Sequence, residues 1–88
     1  MIEDLYEKYW NSEQYELCRY MVLKDLVNDT TNPELRYKLS MLDYLTNRIK
    51  DSIEELELIQ KLNPDFRTVD VKRAINLLSL KLTMIPYG

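Results

Sequence analysis

Fifteen carboxylates, one thiol and no imidazole define the chemistry open to this 88-residue chain. Without His there is no Ser–His or Cys–His pairing of nucleophile and base. One Cys falls well short of the four nitrogen or sulfur ligands of a structural zinc site. The single Gly is Gly88, the last residue of the sequence, which leaves no Gly-rich loop to cradle a phosphate. Carboxylates remain. Asp51, Glu54, Glu55 and Glu57 fall in one helical segment, and Glu3, Asp4 and Glu7 in another. Acids grouped in this way can share a hard cation such as Mg²⁺. Cys18 stands among Leu17, Met21 and Val22, the setting of a small core residue.

Helical carboxylates hold Mg²⁺ and a nucleotide in the all-helical nucleotide pyrophosphatases, which pair a Glu-x-x-Glu with a later Glu-x-x-Asp. Glu13-x-x-Glu16 and Glu54-x-x-Glu57 are similar to the first element, but the Glu-x-x-Asp partner is missing. Lys50 and Lys61 beside the second pair read as the ordinary counter-charges of a solvated acidic face. The chain is therefore expected to be non-enzymatic, with no cofactor and no metal.

The elements that would position any site are helical. The composition, with one Gly and three Pro, favours helix throughout. With 45% hydrophobic and 31% charged residues it suits a folded chain. Residues 1–88 read as one small all-α domain, a bundle of four to five helices. Ile2, Leu5, Tyr6, Tyr9 and Trp10 share a face of a first helix. Asn11-Ser12-Glu13-Gln14 reads as a break with a capping box that opens a second helix, Ser12 to about Asn28. Asn32 is an N-cap and Pro33 a first helical residue. Asn63-Pro64 closes the segment that follows. The last helix, Thr68 to about Met84, is the most apolar and is expected at the centre of the bundle, with Pro86-Tyr87-Gly88 as a tail.

Between Pro33 and Asn63, two architectures compete. Leu35, Leu39, Leu42, Thr46, Ile49, Ile53 and Leu56 keep a three–four alternation, a heptad-like seam that runs on to Gln60. Unbroken phase through Thr46-Asn47-Arg48 favours one long central helix of roughly 45 Å. On that reading the seam is a candidate oligomer surface, with a homodimer as one outcome.

Broken at Asn47, residues 33–66 instead resemble a single tetratricopeptide repeat, a helical hairpin with a period of 34 residues. Leu39-Ser40 stands at its Leu–small pair, Ser52 at its small second-helix position, Leu56 at a large position and Leu62-Asn63-Pro64 at its closing Leu-x-Pro. Arg36, Asp43 and Ile59 depart from it, standing where the repeat has Trp, an aromatic and Ala. The resemblance implies a concave surface that binds a peptide or protein, without catalysis.

Aromatic usage points the same way. Seven Tyr and one Trp accompany a single Phe, more Tyr than one small core can hold. Their polar tips favour interfaces. Tyr6, Tyr9, Trp10, Tyr37 and Tyr44 are the candidate protein-binding residues. A net charge of −3 argues against nucleic acid as a partner. The acidic start Ile2-Glu3-Asp4 is unlike a signal peptide, and no apolar run is long enough to span a membrane, so a cytoplasmic location is expected. The expected function is binding of another protein, as an adaptor or inhibitor of the kind found among phage and mobile-element accessory proteins. The alternative is a self-assembling connector or scaffold subunit built on the seam 35–60.

Overall fold

The computed structural model describes residues 4–84, and the sequence expectations for Ile2, Glu3 and the 86–88 tail lie outside them. Five helices follow in order: α1 Leu5–Asn11, α2 Tyr15–Val27, α3 Pro33–Leu45, α4 Ile49–Leu62 and α5 Thr68–Thr83. Connections of three to five residues turn each helix back on its predecessor. Each packs on its neighbours in sequence, and no Cα atoms of helices two apart come within 8 Å. The result is an all-α stack that is 45 Å long and 21 Å thick.

The long central helix does not form. Asn47 adopts φ 66°, in the left-handed region that Asn tolerates better than other side chains. The Asn47 N–H donates to Tyr44 O, and the Arg48 N–H to Asp43 O at 2.6 Å. This double closure is a Schellman cap, and it satisfies carbonyls that α3 would otherwise leave open. The Thr46 hydroxyl adds a bond to Leu42 O at 2.7 Å. Phase survives the turn because α3 and α4 each turn a stripe toward the same interior, so Leu42 and Ile49 stay seven residues apart without sharing a helix.

The same cap corrects the expected capping box. Glu13, at φ 60°, donates its N–H to Trp10 O, and the Gln14 N–H reaches Tyr9 O at 2.8 Å. Ser12 caps the end of α1, its hydroxyl donating to Lys8 O, while α2 starts without a side-chain cap. Asn32 acts as expected: its side-chain oxygen accepts from the N–H groups of Glu34 and Leu35, with Pro33 opening α3.

Two small cores hold the stack. Cys18, Val22 and Leu26 of α2 meet Leu39 and Leu42 of α3. Leu56 and Ile59 of α4 meet Val71 of α5. Ile59, bulkier than the Ala of the repeat pattern, is fully buried there. Between the cores, the small side chains of Ser40 and Ser52 lie at the crossing of α3 and α4. Ser52 Oγ donates to Ser40 O at 2.7 Å. Ion pairs add ties between helices: Arg19–Asp43 from α2 to α3, and Arg36–Glu55 from α3 to α4, where Arg36 Nη1 donates to both carboxylate oxygens. Arg36 and Asp43 are the same residues that stand where a repeat would carry aromatics.

The expectation for α5 is overturned. It is the edge of the stack rather than its centre, because α4 is the only described helix whose Cα atoms come within 8 Å of its own. Val71 is its one buried residue. Val69, Leu77, Leu80 and Met84, on its opposite side, are 58–72% exposed.

Candidate protein-binding groove

The seam does not offer a surface for pairing chains. Leu39, Leu42, Ile49 and Leu56 are buried within the chain, and Leu35, Thr46 and Ile53 are partly covered. Folded back at Asn47, the two halves of the stripe face their own neighbours and leave nothing continuous for a second copy.

Met41, Tyr44, Leu45 and Leu77, all exposed, meet on one side of the stack. An open groove of about 500 Å³ lies there, a volume typical of ligand and peptide sites. Its walls come mainly from alternate helices: Trp10 of α1, Tyr37, Met41 and Tyr44 of α3, and Ala74 and Leu77 of α5. Ser52 and Leu56 of α4 contribute from between α3 and α5. This follows from the stacking order. Helices whose backbones approach only their sequence neighbours zigzag, so the backbones of α1, α3 and α5 stand apart on one side, and the space between them is the groove.

The aromatic residues reach it from separate elements. Asp4 caps α1 by accepting from the N–H groups of Tyr6 and Glu7, which fixes a helix of only seven residues. Trp10 stacks on Tyr6 with ring centroids 6.4 Å apart and meets Tyr15 edge-on at 5.2 Å. Tyr37 packs edge-on against Phe66 at 6.1 Å, anchoring the floor to the α4–α5 connection. Tyr44 is exposed; Lys81 Nζ lies 4.9 Å from its ring centroid and donates to its hydroxyl at 3.2 Å. Among the described residues, Lys81 is the only charged one lining the groove.

A shallower cleft of Asp4, Tyr6, Glu7 and Lys38 continues the surface, sharing Trp10 and Met41 with the groove. Lys38 Nζ sits 4.9 Å from the Tyr6 ring centroid. Partial burial pushes the Tyr6 hydroxyl above its ordinary pKa, so it remains a neutral donor and acceptor at physiological pH.

Of the five aromatic residues singled out from sequence, Trp10, Tyr37 and Tyr44 line the groove and Tyr6 its extension. Tyr9 packs against the α2–α3 core instead. Sequence reasoning missed Met41, Leu45, Ala74, Leu77, Leu78 and Lys81. A signal for some of them was present: Tyr37, Met41 and Tyr44 are spaced four and three, a second stripe on α3 beside the seam.

The carboxylates do not converge. Asp51, Glu54 and Glu57 are exposed along α4, and Glu55 is taken up by Arg36. Among the described residues no three Asp, Glu or Cys side chains gather where they could hold a metal ion. Cys18 is fully buried, and burial pushes its thiol pKa up, away from the reactive thiolate. No described helix is long and apolar enough to cross a membrane. The chain matches no protein-family model, no curated protein and no solved structure.

Proposed function

We propose that this chain is a non-enzymatic protein-interaction module, an adaptor or inhibitor that takes an apolar segment of another protein into the groove between α1, α3 and α5. The carrying observation is the convergence of Trp10, Tyr37, Met41 and Tyr44 on one open apolar surface. Rigid aromatic side chains at the centre of a concave patch are the residues that dominate binding energy in protein interfaces. An amphipathic helix is the proposed occupant, since laying an apolar helix face into an apolar groove is a recurring mode of peptide recognition. The reading of residues 33–66 as a degenerate tetratricopeptide repeat supports the same assignment: helices stacked in sequence order, a small–small crossing at Ser40 and Ser52, and a groove on one side are what such a repeat would supply.

The test compares wild type with Met41→Glu and Trp10→Ala in capture of interacting proteins, with helicity followed by circular dichroism. Met41 is 39% exposed, so a charge there leaves the fold intact while placing a carboxylate in the apolar groove. A partner held by wild type and released by both folded variants supports the groove. A partner held equally by all three removes it.

A further inference from the structure

We propose that the groove selects an acidic amphipathic helix, with the partner's carboxylates meeting the α5 side; this rests on the groove being the binding site. The chain as a whole carries net charge −3, yet α5 carries Lys72, Arg73 and Lys81 against Asp70 alone. Among the described residues, no carboxylate lines the groove itself. Lys81, on its wall, has no carboxylate within 4 Å among the described residues; its ammonium rests on the Tyr44 ring and hydroxyl, partners that leave its charge uncompensated. The surface continues past Leu77 into a shallow cleft on the outer side of α5 lined by Val69, Lys72 and Arg73, which likewise form no ion pair with a described residue.

Among the arginines, Arg73 on α5 stands apart. Arg19, Arg36, Arg48 and Arg67 are each paired with a carboxylate of the chain, so the stack consumes its other arginines internally. Carboxylates enter only at the far end of the surface, where Asp4 is committed to capping α1 and Glu7 stands in the cleft that also holds Lys38. An apolar helix with acidic flanks buries its stripe on Met41, Tyr37 and Leu77 and places its charges on Lys81 and, past Leu77, on Arg73. A basic helix with the same stripe meets uncompensated like charge along α5.

The only Trp of the chain is Trp10, on the groove wall, so its emission reports occupancy directly. Three synthetic helices of about 18 residues, roughly 27 Å long, would share one Leu stripe and carry Glu, Gln or Lys on the polar face. Each exposed ion pair changes affinity by only about one- to fivefold, so attraction of Glu and repulsion of Lys at Lys81 and Arg73 together give about tenfold. The Glu peptide is expected to shift Trp10 emission and to bind about tenfold more tightly than the Lys peptide at low salt. Raising the salt to about 0.5 M should erase most of that margin. Lys81→Glu should reduce the margin, and Lys81→Met should reduce it less.

Equal binding of all three peptides, or preference for the Lys peptide, would overturn acidic selection while leaving the groove as the site. Failure of all three to move Trp10 emission, or binding unaffected by Met41→Glu, would overturn the groove reading itself. A peptide-independent dimer by light scattering that excludes the peptides would assign the groove to a second copy and overturn the proposal.

Discussion

The Arg19–Asp43 pair offers the sharpest test of how the stack is held. Asp43 is 1% exposed, whereas the Arg19 side chain is 23% exposed, and Arg19 Nε donates to Asp43 Oδ1 at 2.6 Å. The two ends of this bond are therefore unequal. Removing Arg19 as Arg19→Met strands a carboxylate in the interior, which costs about 3–5 kcal/mol when no other partner is available. Removing the charge on Asp43 as Asp43→Asn leaves a side chain that still accepts a hydrogen bond and a guanidinium that already reaches water, for about 1 kcal/mol or less. Replacing both, as Arg19→Met with Asp43→Leu, falls between neutral and a gain of about 1–4 kcal/mol. A chain of this length has about 4–13 kcal/mol of stability in all. The Arg19→Met loss therefore corresponds to a melting shift of at least about 12 °C.

The pH dependence carries a sign. Burial pushes the Asp43 carboxyl above its ordinary pKa, with Arg19 opposing it and Asp51 and Glu55 adding to it. A carboxyl raised in the folded state takes up a proton more readily there than in the unfolded chain. Its contribution is fully present below the unfolded value, near 3.9, and is lost as pH rises through the folded value. Arg19→Met removes the opposing charge, so its deficit relative to wild type should be largest at pH 7 and shrink as pH falls toward about 4. Urea unfolding followed by circular dichroism at the two pH values measures this. A deficit for Arg19→Met no larger than that for Asp43→Asn, or one that grows as pH falls, would refute the account of a buried carboxylate held by a half-wet arginine.

Three other outcomes follow from single positions. Asn47→Val, which puts a β-branched side chain at φ 66°, should cost about 1–2 kcal/mol, while Asn47→Gly should be neutral or slightly stabilising in the same unfolding assay. Ser52→Leu forces two extra heavy atoms into the α3–α4 crossing, where Ser52 is 1% exposed, and should lower the urea midpoint by the equivalent of about 1–3 kcal/mol. The Cys18 thiol, buried and raised in pKa, should react with a disulfide reagent in the native state only through unfolding, so that the labelling rate rises in step with the unfolded fraction in urea; fast labelling of the native chain would contradict its burial.

The sequence by itself determined the class and most of the punctuation. Asn32-Pro33 and Asn63-Pro64 act through one residue's own dihedral limits and a neighbouring N–H, and such local physics is legible without a fold. The apolar spacing determined which faces of α3 and α4 turn inward. It also drew attention to Trp10, Tyr37 and Tyr44, because an excess of Tyr beyond what a small core can absorb is a property of composition.

Tertiary structure decided the rest. Heptad phase could not distinguish one helix from two, because a Schellman cap at Asn47 and a continued helix are compatible with the same stripe; the choice was made by the packing of Leu56 and Ser52 back onto α3. The apolar character of α5 was read as centrality, yet a helix with two apolar sides can equally sit at an edge with one side open, as Leu77 and Leu80 show. Asp43 and Arg36 looked like defects in a repeat until their partners on other helices, Arg19 and Glu55, were brought to them. The groove exists only because α1, α3 and α5, distant in sequence, stand on the same side of the stack. No spacing rule along one helix encodes a surface assembled from three.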